Sequence, residues 1–130
     1  MPIDTVLLVD DNAEYKKVVS KALQALTAWR VVTGSSGVDA LNLLRDAQTA
    51  PDVILMDVSM PYMDGLEAIQ KIKQDKDFAR IPIILVTAKV LDSEMAQYKA
   101  LGIAGIVSKP FDPLLLHKRV EQLCLEWQGF

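Results

Sequence analysis

Five short apolar runs alternate along this chain with five segments whose apolar residues recur at three- and four-residue spacing. Thr5–Val9, Trp29–Thr33, Val53–Met56, Ile81–Val86 and Gly105–Ser108 are rich in β-branched and aliphatic residues and bounded by turn-forming residues, so each reads as a strand. Between them the period is helical. Tyr15, Val18, Val19, Ala22, Leu23 and Leu26 form the apolar face of a first helix, which Asp11 or Asn12 can cap. Val38, Leu41, Leu43 and Leu44 mark a second helix. The third opens at Gly65 with Leu66, Ile69 and Ile72 inward and Lys71, Lys73 and Gln74 outward. A fourth starts near Asp92-Ser93 and stops at Gly102, with a weak apolar face of Leu91, Met95, Tyr98 and Leu101. Asp112-Pro113 is expected to cap and open a fifth, with Leu116, Val120, Leu123 and Trp127 inward. Strict alternation of strand and helix dictates a parallel sheet, and right-handed crossovers place helices on both of its faces.

In such sheets functional groups gather beyond the carboxyl ends of the strands. The first strand runs into Asp10-Asp11, the third into Asp57, the fourth into Thr87 and the fifth into Lys109. Three carboxylates at one edge repel, by roughly 4 kcal/mol per like pair at about 4 Å and an effective dielectric near 20. A divalent cation removes that penalty, and hard oxygen donors without His or Cys favour Mg²⁺. Asp10, Asp11 and Asp57 are therefore the predicted Mg²⁺ ligands, with waters and the backbone carbonyl of Ser59 completing the shell. A carboxylate beside Mg²⁺ is also a nucleophile toward phosphorus and would form an aspartyl phosphate. Asp57 is the predicted phosphoacceptor, Lys109 the mobile cation for a phosphoryl oxygen, and Thr87 a hydroxyl donor to another.

Bulk properties narrow the alternatives. A chain of 130 residues suits one domain, and the recognisable elements fill it, so a single domain over residues 1–130 with no output domain is expected. A net charge of −3 argues against nonspecific nucleic-acid binding, which uses a basic patch. Cys124 is the only cysteine, which excludes an intrachain disulfide and fits a reducing, cytoplasmic setting. The first residues lack the basic and apolar regions of a signal peptide, and no apolar run reaches the length of a membrane span.

Taken together, four motifs resemble those of the receiver domain of two-component response regulators. They are the acidic pair Asp10-Asp11, the loop Asp57-Val58-Ser59-Met60-Pro61-Tyr62-Met63-Asp64-Gly65, Thr87-Ala88 and Lys109-Pro110-Phe111, in order and on the matching elements. The resemblance covers essentially the whole chain. It implies an α/β, flavodoxin-like, doubly wound sheet of five parallel strands in the order 2-1-3-4-5 with five helices. It implies phosphorylation of Asp57 by a histidine kinase or a histidine phosphotransfer protein, a cis peptide between Lys109 and Pro110, and a downstream effector protein as partner. The chain is then a signalling module that assists its own phosphorylation and hydrolysis, not a turnover enzyme. Ser59 and Lys89 stand at positions that, in the family, tune hydrolysis of the acyl phosphate.

One position departs from the pattern. The family commonly has Tyr or Phe three residues before the lysine, a ring that turns inward when the threonine moves toward the phosphoryl group. Here the switch position is Ile106. Phosphorylation chemistry is expected to survive, with a weaker or differently routed signal on the face of the fourth helix, fifth strand and fifth helix, which is also the candidate homodimer surface. Two other functions compete. A phosphorylation-independent pseudo-receiver scaffold is compatible with Ile106. An aspartyl phosphatase of the dehalogenase type wants a second Asp two residues after the nucleophile, where Ser59 stands, and a nucleotide or flavin protein would want a glycine-rich loop where Asp10-Asp11-Asn12 stands. His117 reads as surface polar, Cys124 as a small helix residue, and Leu125 and Phe130 fall off the inward stripe.

Overall fold

A computed structural model describes residues 3–58, 65–88 and 92–127, with the side chains of 92–95 outside the description. The element order is β1 (Thr5–Val9), α1 (Ala13–Leu26), β2 (Arg30–Gly34), α2 (Gly37–Arg45), β3 (Val53–Met56), α3 (Gly65–Gln74), β4 (Ile83–Thr87), α4 (Asp92–Ala100), β5 (Gly105–Ser108) and α5 (Leu116–Glu126). All four pairings are parallel and the sheet runs β2-β1-β3-β4-β5, the order the family resemblance implies.

Because side chains alternate along a strand, each strand feeds two cores. Val6, Leu8, Val53, Leu55, Ile84, Val86 and Val107 face the helices α1 and α5, where they meet Val19, Leu23, Leu116, Val120 and Leu123. Leu7, Val9, Ile54, Met56, Ile83 and Leu85 face the other way, onto Ala40 and Leu44 of α2, Ala68, Ile69 and Ile72 of α3, and Tyr98 of α4. The three central strands are buried along their length, which is why they read as continuous apolar runs rather than as an alternating pattern.

Local chemistry shifts several boundaries. β4 begins at Ile83 rather than Ile81: Pro82 has no N–H to give to the ladder, so pairing starts on its carbonyl, which accepts from Ile54 N at 3.0 Å. β2 likewise starts one residue later than expected, leaving Trp29 buried just before it, and runs one residue further, to Gly34. The Asp112-Pro113 pair does not open α5. The Asp112 carboxylate accepts from Leu114 N and its carbonyl from Leu115 N, which builds a separate turn. The helix starts at Leu116 without a side-chain cap.

The apolar stripes are narrower than their spacing suggests. On α1 the inward face is Val19 and Leu23, with Tyr15 and Ala22 half-buried; Val18 and Leu26, one flank further round, are 53% and 44% exposed. On α2 Ala40 and Leu44 are buried, Leu41 and Leu43 half-buried, and Val38 exposed. On α4 Tyr98 is buried and Leu101, just beyond the helix, half-buried; Leu91 and the side chain of Met95 lie outside the described residues. Lys73, expected outward, is half-buried. Its ammonium donates to Ala79 O at 3.0 Å and lies 4.8 Å from the ring centre of Trp127, and burial lowers its pKa. Trp127, expected inward, is half-buried outside both cores and donates its indole N–H to Arg80 O at 3.2 Å. His117, read as surface polar, is half-buried, with Nδ1 lacking a hydrogen-bond partner among the described residues. Leu125 is exposed, and Phe130 is outside the described residues.

Candidate functional site

The parallel register brings the carboxyl ends of four strands to one edge. Asp57 N donates to Val9 O at 3.0 Å and Asp10 N to Gly34 O at 3.1 Å, so both acidic residues continue their strands by one step of the ladder. Lys109 N donates to Thr87 O at 2.7 Å and fixes the end of β5 beside that of β4. The Lys109-Pro110 peptide is cis.

Asp10 is 1% and Asp57 7% exposed, whereas Asp11 is exposed. A carboxylate oxygen from each of the three lies within 4.8 Å of the others. Lys109 Nζ sits 2.9 Å from Asp10 Oδ2 and 3.6 Å from Asp57 Oδ2. The other oxygen of Asp10 accepts from Asn12 N at 2.9 Å, and Asn12 in turn caps α1 through Tyr15 N at 2.9 Å. Asn12, rather than Asp11, is thus the helix cap, which leaves the Asp11 carboxylate available to the cluster. The edge thus gathers three carboxylates around the Lys109 ammonium. These are the groups that fit a hard divalent cation: oxygen donors, two of them buried, with no nitrogen or sulfur donor in the cluster.

Of the residues singled out from sequence, the structure brings Asp10, Asp11, Asp57 and Lys109 together, and it places Thr87, 3% exposed, at the end of β4 next to Lys109. Ile106 is half-buried on β5, packed against the core shared by α2, α3 and α4. Ser59 and Lys89 lie outside the described residues.

Two residues have packing roles at the site that the sequence does not show. Gly65 reads there as a helix start and the last residue of the loop motif, yet a Cβ on it would overlap the Asp57 carbonyl and come within 2.6 Å of Val58 Cα. The start of α3 can therefore seat behind the acidic strand end only with glycine. The local signal was the loss of any side chain at the first helical residue after the carboxylate. Tyr15 reads as one member of an apolar stripe, but its ring stands 4.1 Å from Lys109 Nζ. Nothing in the helical period signals that contact, because it joins residues from opposite ends of the chain.

Comparison with known proteins agrees with this geometry. The response regulator receiver domain matches residues 6–121. The chain is 38% identical over 117 residues to the probable transcriptional regulator ycf27 of Guillardia theta, covering 90% of this chain but only 44% of that protein. It is 31% identical over 116 residues to chemotaxis protein CheY1 of Helicobacter pylori, covering 89% of this chain and 93% of that one. Among solved structures, chemotaxis response regulator CheY4 of Vibrio cholerae superposes with a TM-score of 0.84 at 31% identity, over 94% of this chain and 99% of that one. An α/β sheet in receiver order, an acidic cluster at its carboxyl edge and a lysine spanning that cluster are the attributes of one family, and the chain belongs to the response regulator receiver domains.

Proposed function

We propose that this protein is a phosphorylation-controlled binding module of two-component signalling, with Asp57 as phosphoacceptor. The observation that carries the proposal is the nearly buried Asp57 carboxylate, grouped with Asp10 and Asp11 and within 3.6 Å of a lysine that is shared with Asp10. A carboxylate serving only as a strand-end surface charge would not be held among two like charges and one shared cation.

Chemically, an oxygen of Asp57 attacks the phosphorus of a phosphohistidine on a histidine kinase or phosphotransfer protein; the P–N bond breaks and the imidazole leaves with the electron pair. Asp10, Asp11 and Asp57 would hold Mg²⁺, with the Ser59 carbonyl as a further ligand, and the bound ion supplies positive charge against the transferring oxygens. Lys109 turns from Asp10 toward the new phosphoryl oxygen. Thr87 donates its hydroxyl to another. An apolar groove of about 470 Å³ runs between α1 and the turn after β5, lined by Val18, Val19, Pro110, Phe111 and Pro113, and reaches Lys109. A protein donor can cover such a surface while presenting its histidine to Asp57.

Output goes to an effector protein, or to a second copy of the chain, through α4, β5 and α5. With Ile106 in place of a ring, the signal there is weaker or differently routed. Direct nucleic-acid binding and membrane insertion have no part in this reading, and none of the described helices is long and apolar enough to cross a membrane. The setting would be cytoplasmic and the unit a single receiver over residues 1–130.

Incubation with Mg²⁺ and a small acyl-phosphate donor, followed by intact mass, tests the proposal. One added phosphoryl group, lost in Asp57→Ala and on chelation, supports it. Turnover of phosphate esters would point to a phosphatase, and an unmodified mass without turnover to a scaffold. Replacing Ile106 with Tyr should strengthen phosphorylation-dependent partner binding; unchanged affinity counts against the rerouted signal.

A further inference from the structure

Lys109 has a third neighbour besides its two carboxylates. The face of the Tyr15 ring lies 4.1 Å from its Nζ, within cation–π range. The ring is itself held edge-on against Phe111, two residues beyond Lys109, with centroids 5.9 Å apart at 90°. The Tyr15 hydroxyl oxygen is buried and has no hydrogen-bond partner among the described residues. Burial first, and then the charges of Asp10 and Asp57, hold the phenol well above its usual range, so the ring meets the ammonium neutral.

We infer that Tyr15 is a positioning residue for Lys109: its ring face keeps the ammonium over the acidic edge while Lys109 exchanges Asp10 for the group on Asp57. The exchange follows from charge: a divalent cation arriving at Asp10 repels the ammonium that Oδ2 holds. Asp10 Oδ1 accepts from Asn12 N and Oδ2 from Lys109 Nζ, so a cation at this carboxylate comes up against the lysine. An ammonium released from a nearly buried carboxylate would otherwise relax toward solvent along its flexible stem. A ring face is a broad, non-directional partner, so the ammonium can move from Asp10 toward Asp57 without leaving it. The OH takes no part in this; the ring does.

The inference rests on the phosphoacceptor reading of Asp57, and its test separates the two. Tyr15→Leu keeps an apolar side chain in the groove and removes the ring; Tyr15→Met serves where the leucine variant melts early. Phosphorylation by a small acyl phosphate, which needs no docking surface, is timed by mass in the presence of Mg²⁺. Tyr15→Leu should slow it about fivefold, the scale of one partly exposed cation–π contact. Tyr15→Phe should recover the rate, and in a Lys109→Met background Tyr15→Leu should change nothing further. Independently, the Cε protons of Lys109 should show an upfield ring-current shift by NMR that Tyr15→Leu abolishes. An undiminished rate in Tyr15→Leu, an equal loss in the Lys109→Met background, or unshifted Lys109 protons would overturn the inference. A wild-type chain that takes up no phosphoryl group but shows the ring-current shift would sink the phosphoacceptor reading and leave the Tyr15–Lys109 contact standing.

Discussion

Replacing Asp11 with asparagine should stabilise this protein in metal-free buffer and remove most of the stabilisation Mg²⁺ confers. Asp11 is the exposed member of the cluster, and its carboxylate lies within 4.8 Å of those of Asp10 and Asp57. At that distance a like pair repels by about 3.5 kcal/mol at an effective dielectric of 20 and by about 0.9 kcal/mol in bulk water. Exposure puts Asp11 near the water limit, and part of the gain is offset by lost attraction to Lys109. The net effect of removing the charge is then about 1 kcal/mol in favour of folding. For a domain of this size that is a rise in Tm of roughly 3–5 °C. Mg²⁺ reverses the ranking. A cation that binds only the folded state stabilises it by about 2.7 kcal/mol at a hundred times its Kd. Asp11→Asn removes one of three anionic ligands and should forfeit most of that increment. Thermal melts with chelator and with saturating Mg²⁺, on wild type and variant, check both halves. A lower Tm for Asp11→Asn in chelator, or an Mg²⁺ increment equal to that of wild type, would refute the reasoning.

Gly65→Ala should destabilise by about 1–3 kcal/mol in urea melts, because the added methyl meets the backbone of Asp57 and Val58, and should also slow acyl-phosphate labelling. Trp127→Phe, which keeps the aromatic packing beside Lys73 but drops the N–H bond to Arg80 O, should cost about 1 kcal/mol by the same assay. Cys124 packs against the core, and burial, followed by the negative charge of Asp52, pushes its thiol up to about 11. Folding thus favours the protonated thiol: its contribution is fully present below the unfolded value near 9 and is lost as pH rises through about 11. Thiol alkylation at pH 8 should therefore be slow in the native protein and fast in denaturant, and equal rates in the two would contradict that burial.

Much of this molecule is legible one element at a time. The buried strands declare themselves because parallel pairing leaves them no solvent face, and the polar strand ends Asp10, Asp57, Thr87 and Lys109 stand where each apolar run stops. Motif order carried the strand order, which the apolar runs alone do not give. What the sequence obscured has physical causes. Helical period locates an apolar side but not how wide a strip the sheet covers, so Val18, Leu26 and Val38 were expected inward and are exposed. Asp112 can cap a helix or close a turn with the same oxygen, and only the donor that reaches it decides between them. Lys73 looks like a surface lysine until Trp127, far along the chain, covers it. The role of Gly65 and the contact of Tyr15 with Lys109 are likewise properties of folded neighbours, and no local pattern carries the second.

The most direct test of the central claim is to locate the phosphoryl group. After labelling with an acyl-phosphate donor and Mg²⁺, borohydride converts an aspartyl phosphate to homoserine, which peptide sequencing reads at a single position. Homoserine at residue 57, and at no other aspartate, is the predicted result. Homoserine at Asp10 or Asp11, or a borohydride-resistant phosphate carried by Ser59, would contradict it.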